Sequence, residues 1–382
     1  MSDLYRSALQ ARISKLPQLP PHPDDDEEDV DEEEEARSSL GEMRPPTALP
    51  RRTPTTPNPA YAPLSAASYF ASANQVSAPS RQLDFRVYYT PPTPASTSNG
   101  AVAVCHHGAG FSGLSFACFA KEVERQSRGE LGVLAVDARR HGKTVPIDGA
   151  SDEDLSIGVL AEDLTELVKT VFPDPKTAPA LLLVGHSMGG AVVVHASPHL
   201  LSAGYTVLGV AVLDVVEGTA LEALPYMPQI LNARPEGFDS VEEAVGWHIQ
   251  ANQIHNPASA RVSVPSIVVP STSGPKKYVW RTPLRSTAEY WESWFTSLSS
   301  KFLATRAARL LILAGTDRLD KPLMIGQMQG KFQLEVVGGV GHVVHEDAPA
   351  RVAELVVEFW RRNERVDVPG LRGGVVKRVG EA

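Results

Sequence analysis

The chain has 382 residues, 42% of them hydrophobic, and a formal net charge of -9 at pH 7, which bounds it to one large domain or at most two. Eleven of the twelve residues at 24–35 are acidic, so the remainder carries a formal +2 and offers no basic face for nucleic acid. Two cysteines, Cys105 and Cys118, exclude a disulfide framework beyond one bridge. Both lie among apolar neighbours and read as buried thiols of a reducing compartment.

The N-terminus, MSDLYRSALQ, lacks the basic stretch leading into an apolar one that a secretory signal requires. No apolar run approaches the roughly eighteen residues of a membrane span, and the ending VGEA is not a lipidation box. The expectation is a soluble intracellular chain, cytoplasmic or nuclear. Residues 1–78 are rich in Pro, Ser, Ala and acid, with too few large apolar side chains to offset the entropy of ordering. They are expected to form a disordered tail, with a docking piece near Tyr69 and Phe70. The acidic block reads as a solvated run, contact with a basic partner being the rival reading.

Regular patterning begins at 83–90, which alternate like a strand before the turn-rich PPTPASTSNG. Short apolar runs at 101–105, 132–137, 180–185, 207–213, 310–314 and 332–337 read as further strands, the first as one buried on both faces. Helical patterning falls at 115–127, 160–171, 188–200 and 349–364. Strands alternating with helices imply an α/β class: a mostly parallel central sheet with helices on both faces. Residues 216–305 break the rhythm. No clean strand is expected there, helices are expected near 240–252 and 286–303, and SVPSIVVPSTSGPKK at 263–277 reads as a mobile loop. This insertion would cap one end of the sheet. The folded domain then spans 79–364, leaving 365–382 as a loosely held tail.

The chemistry begins at Gly185-His186-Ser187-Met188-Gly189, a G-x-S-x-G motif between the strand ALLLVG and a helix. A strand-to-helix turn this sharp strains the serine backbone and lifts its hydroxyl clear of the sheet, as in the α/β-hydrolase fold. The helix beyond it adds amide donors and partial positive charge where an oxyanion would form. The serine needs a base. Among 11 histidines, His342 follows the last strand and its GGVG exit, where this fold places that base. His345 is its rival and reads as structural; His186, His195 and His141 read as packing or hydrogen-bonding residues. Two acids stand at strand ends, Asp214 at the end of VLGVAVLD and Asp317 in GTDRLD. Hydrolases of this fold mostly use the second position, which favours Asp317, but spacing does not choose between them. The HG-rich loop after the first apolar strand, Cys105-His-His-Gly-Ala-Gly110, matches the loop that donates one oxyanion amide, and the residue after the nucleophile donates the other. These are Ala109 and Met188.

Longer strings carry a resemblance. GHSMGGAVVVHAS at 185–197, DVVEGTALEAL at 214–224, YVWRTPLRSTAEYWESWF at 278–295, LILAGTDRLDKPLMIGQMQGKFQ at 311–333 and GHVVHEDAP at 341–349 resemble the protein phosphatase methylesterases, from about Tyr69 to about Arg361. Carried over by motif, the resemblance implies Ser187 as nucleophile, His342 as base and Asp214 as acid, leaving Asp317 as the alternative acid with a structural role. The family's HGGG reads His107-Gly-Ala-Gly110 here; Ala109 keeps its amide, and the hole survives unless that position needs positive φ.

The resemblance implies the activity as well: hydrolysis of the methyl ester on the C-terminal leucine of the protein phosphatase 2A catalytic subunit, releasing methanol. That subunit is the implied partner; no cofactor, metal site, nucleic acid or membrane is implied. Trp280, Trp291 and Trp294 are candidates for the peptide groove, with packing of the cap as the competing role. Two other functions compete: a small-molecule esterase or lipase with the same triad, and a phosphatase-binding inhibitor whose esterase activity is secondary.

Overall fold

The computed structural model describes residues 57–93, 100–315 and 319–364. Its strands are β1 (Ser72–Ala78), β2 (Leu83–Thr90), β3 (Ala101–His106), β4 (Leu131–Val136), β5 (Val145–Pro146), β6 (Ala180–His186), β7 (Val207–Leu213), β8 (Gly237–Phe238), β9 (Val268–Pro270), β10 (Tyr278–Trp280), β11 (Ala308–Leu313) and β12 (Gln333–Val336). Its α-helices are α1 (Ala117–Ser127), α2 (Ile157–Val171), α3 (Met188–Ser202), α4 (Glu217–Ala223), α5 (Met227–Ala233), α6 (Val241–Gln250), α7 (Pro257–Ser263), α8 (Ala288–Phe295), α9 (Leu298–Ala304), α10 (Lys321–Met328), α11 (Val344–Asp347) and α12 (Pro349–Asn363).

The main sheet runs β1-β2-β4-β3-β6-β7-β11-β12, with β5 alongside β2. From β4 to β12 every pairing is parallel, while β1, β2 and β5 form an antiparallel margin. Every residue of β3, β4 and β7 is buried, as continuous apolar runs require when helices cover both faces. The strand period divides them. Leu181 and Leu183 join the core that holds Leu164 of α2 and Val192 of α3. Leu182 and Val184 join the other core, with Phe119 of α1 and Val356 of α12. Cys105 and Cys118 are buried free thiols. Among the described residues no helix is long and apolar enough to cross a membrane.

Three differences from the sequence reading have physical causes. First, order begins well before residue 79. Ser72–Ala78 pairs along its whole length with β2, and Phe70 is buried against Tyr88 with ring centroids 5.6 Å apart. An edge strand is held by backbone bonds, so its small polar side chains carried no hydrophobic signal. Residues 1–56 and 365–382 lie outside the described residues.

Second, the insertion between β7 and β11 does contain strands. β8, β10 and β9 form a separate three-stranded antiparallel sheet. Accordingly 263–277 is not one loop: α7 ends in it, Val264 and Ser266 are buried in a 3₁₀ turn, β9 follows, and only 271–277 links β9 to β10. Strands of two and three residues are too short to show alternation. Third, the helix expected over 286–303 is two helices. Ser297 takes a left-handed φ of 65°, and its amide and that of Ser299 are accepted by the Glu217 carboxylate at 2.8 and 2.9 Å.

Candidate active site

At the end of β6 the chain turns into α3 through Ser187, whose φ of 52° and ψ of -120° are strained for a residue with a side chain. Two glycines permit the turn. A Cβ on Gly185 would lie 2.1 Å from the Gly189 carbonyl oxygen, and one on Gly189 would lie 2.1 Å from that of His106. The Ser187 amide donates to Leu213 O at 3.0 Å, tying the elbow to the neighbouring strand.

Asp214 follows β7, also at positive φ (51°). One carboxylate oxygen accepts the Ala314 amide at 2.7 Å; the other is 2.7 Å from His342 Nδ1. That bond fixes Nδ1–H as the donor and leaves Nε2 free to act as a base. Ser187, Asp214 and His342 line one cavity. Among the described residues no hydrogen bond joins the Ser187 hydroxyl to the imidazole. Asp317 lies outside the described residues.

The His342 loop is fastened from two sides. The His342 carbonyl accepts from His186 Nε2 at 2.8 Å, and the Gly341 amide donates to Asp347 at 2.8 Å. The second oxygen of Asp347 accepts the His255 amide at 2.7 Å, so one carboxylate ties the His342 loop to the cap. His345 is fully buried, stacked on Phe116 with centroids 4.3 Å apart, and both its nitrogens are unpartnered. Burial, with a smaller effect of His342, lowers its pKa to about 3, so it packs as a neutral ring.

The loop after β3 is held by two further neutral histidines. His107 accepts the Ala138 amide at Nε2 (3.0 Å) and donates from Nδ1 to Gly108 O (2.7 Å). His141 accepts the Gly110 amide at Nε2 (3.0 Å) and donates from Nδ1 to Arg139 O (2.8 Å). Burial pushes His107 well below its ordinary pKa and His141 down to about 4. Both rings therefore keep one donor and one acceptor at neutral pH. Between these fixed points the Ala109 amide has no acceptor among the described residues; neither has that of Met188, the first residue of α3. Ala109 is absent from the positive-φ positions, whereas Gly110 sits at 81°, so alanine is tolerated where the resembling family has glycine. Both residues line the same cavity as Ser187.

The cavity measures about 140 Å³, room for a group about the size of benzene. Phe111, Met227, Leu284 and Phe295 make its walls apolar, and Trp291 and Trp294 line it too. Both indoles also pack the cap: Trp291 Nε1 donates to Thr287 Oγ1 at 2.9 Å and Trp294 Nε1 to Leu155 O at 2.7 Å. Trp280 is the exception. It does not line the cavity but packs, in the small sheet, against Phe238 of β8 and against Trp247 of α6. Its place in one string with the other two tryptophans had grouped it with them, but β10 and α8 face different surroundings. Two residues with a bearing on the site, Arg234 on the cavity wall and Asp347 beneath the loop, were missed. Asp347 lay in view within GHVVHEDAP; Arg234 follows a short helix and carries no periodic signal.

A family model described as the alpha/beta hydrolase family matches residues 103–355. The chain is 48% identical to protein phosphatase methylesterase 1 of Cryptococcus neoformans var. neoformans over the whole of both chains. Against the protein of the same name from Aspergillus fumigatus it is 41% identical, covering 96% of this chain and 90% of the relative. For Schizosaccharomyces pombe the figures are 43%, 74% and 80%. Among solved structures, an E-2-(acetamidomethylene)succinate hydrolase superposes with a TM-score of 0.60 at 18% identity, over 76% of this chain and 99% of the other. That likeness speaks to the fold. The chain is an esterase that belongs to the protein phosphatase methylesterase family of α/β hydrolases.

Proposed function

We propose that this esterase removes the methyl ester from the C-terminal leucine of the protein phosphatase 2A catalytic subunit, with Ser187 as nucleophile, His342 as base and Asp214 as its orienting acid. The observation that carries the reading is the 2.7 Å Asp214–His342 bond beside an elbow serine on the same cavity wall. The relatives' shared name supports the substrate class.

In this mechanism His342 Nε2 takes the hydroxyl proton as Ser187 Oγ bonds to the ester carbonyl carbon, a contact that tightens when substrate is seated. Asp214 holds the tautomer and stabilises the imidazolium without itself taking the proton. The Ala109 and Met188 amides receive the oxyanion; each donor of this kind contributes about 2.7–4 kcal/mol to transition-state stabilisation. The carbon–methoxy bond breaks and methanol leaves with the proton from His342. A water, deprotonated by the same ring, cleaves the leucyl acyl-enzyme to the carboxylate and restores the hydroxyl. Burial of the leucine side chain offers only about 1.5–3 kcal/mol, so affinity for the intact phosphatase requires a second docking surface.

The test is demethylation of methylated phosphatase against hydrolysis of short acyl esters. Methanol release from the phosphatase that is lost with Ser187→Ala supports the proposal. Rapid turnover of many free esters with none on the phosphatase makes the chain a small-molecule esterase instead. Undiminished demethylation by Ser187→Ala removes the triad.

A further inference from the structure

Arg234, directly after α5, lines the same cavity as Ser187 and His342. Its guanidinium makes no hydrogen bond and no ion pair among the described residues, and its Nε is shut off from solvent without a partner. The side chain is held in place all the same. Its guanidinium carbon lies 5.1 Å from the centroid of the Trp280 ring, and Trp280 Nε1 donates to the carbonyl of the adjoining Pro235 at 2.8 Å. Trp280 packs in turn against Phe238, Trp247 and His248.

Among the described residues nothing nearby neutralises the charge. The one acid lining the cavity among the described residues is Asp214, whose two oxygens are taken by Ala314 and His342. His248 is no counter-ion: its Nδ1 donates to Ala244 O at 2.8 Å, and burial first, with Arg234 beside it, lowers it to about 4. Burial lowers Arg234 itself only to about 10, so it stays charged at neutral pH. Stacking on an indole positions a guanidinium but supplies no counter-charge. Asn252 and Gln253 are further polar side chains on the same wall.

We infer that Arg234 is a specificity-determining residue that pairs with a carboxylate of the bound peptide. The inference rests on the proposed reading of the cavity as a peptide-ester site. A planar guanidinium with unspent donors matches a carboxylate two bonds at a time, and apolar walls strengthen the pair once water leaves. The methyl ester is neutral, so the anion is not the intact ester. It is either the leucine α-carboxylate that hydrolysis releases, which makes the enzyme product-inhibited, or an acidic side chain a few residues before the leucine.

The experiment is calorimetric binding to the full-length chain carrying Ser187→Ala, which blocks turnover, alone and combined with Arg234→Gln or Arg234→Lys. Melting curves check that each folds. The probes are hexapeptides ending in leucine, as free acid, C-terminal amide or methyl ester, each with glutamate or glutamine upstream. The expected result is a preference of about tenfold for a carboxylate over its amide that Arg234→Gln abolishes and Arg234→Lys partly restores. Preference at the terminus assigns the α-carboxylate; preference at the upstream position assigns the side chain. Equal affinities for all probes on Ser187→Ala, or no binding at millimolar peptide, overturn the inference without needing an Arg234 variant. A preference that survives in a folded Arg234→Gln chain overturns it as well. Carboxylate preference with no hydrolysis of the methyl-ester peptide or of methylated phosphatase by the unmutated chain would instead fault the proposed reaction and leave the role of Arg234 standing.

Discussion

The ends of the central strands and the cap that covers them hold their side chains by different means. Ser187, Asp214 and the amides of Ala109 and Met188 leave strands or loops pinned by backbone bonds, steric gaps that only glycine fills, and positive φ. The cap residues Trp291, Trp294 and Arg234 stand on helices of seven or eight residues and their ends, seated by single side-chain bonds or ring stacking. Reaction chemistry tolerates little displacement, and the proposed mechanism puts it where the backbone decides geometry. The same proposal puts recognition on the cap, which can be re-cut without disturbing the sheet.

If that division holds, the largest effects come from the strand ends. Ser187→Ala is expected to lower kcat by about 10⁴–10⁶-fold, read as methanol released from methylated phosphatase. Asp214→Asn should cost about 10⁴-fold through the wrong imidazole tautomer, with Asp317→Asn near wild type; a loss confined to a folded Asp317→Asn chain would reverse the acid assignment. Asp347→Ala, which cuts the tie between the His342 loop and His255, is expected to lower kcat/KM by about 10–100-fold. An unchanged value would show that the cap does not position the base.

Stability should follow pH through one buried carboxyl of the same seam. Glu346 is fully buried, one oxygen accepting from Ser259 and Ser263 at 2.8 and 2.6 Å and the other unpartnered. Burial pushes its pKa from an ordinary 4.5 up to about 8. The folded chain keeps a proton that the unfolded chain sheds, so this stability is complete below about pH 4.5 and is lost as pH rises to about 8. Because His107, His141, His248 and His345 are held neutral and add stability as pH rises towards 6.5, the fall is read as the difference in thermal melts between the unmutated chain and Glu346→Gln; an identical pH profile in both would refute the buried neutral acid. The smallest expected effect is in the cap: Trp294→Phe, which loses the bond to Leu155 O, should cost about 1 kcal/mol by denaturant melts.

The same contrast decided what the sequence disclosed. Runs such as LGVLAV and VLGVAVL are apolar throughout because both sheet faces are covered, and GHSMGG is dictated by a turn that admits few residues. The strands and the elbow were therefore plain to read. Spacing chose neither acid, the usual position in this fold favoured Asp317, and only the DVVEGTA string pointed to Asp214, because a carboxylate reaches an imidazole through the fold and not along the chain. The strands β8 to β10 escaped notice for being two or three residues long, and β1 for being bound by its backbone. Arg234 was invisible because its proposed role rests on the lack of a counter-ion among the described residues, which no local pattern records.

The most direct test of the central claim is acid-quenched mass spectrometry of a leucyl methyl ester peptide mixed with the chain. A leucyl-peptide adduct on Ser187 is expected that forms with methanol release, decays with product release, and is missing from Ser187→Ala. Methanol released at the normal rate with no adduct on Ser187, or with the adduct on another side chain, would contradict it.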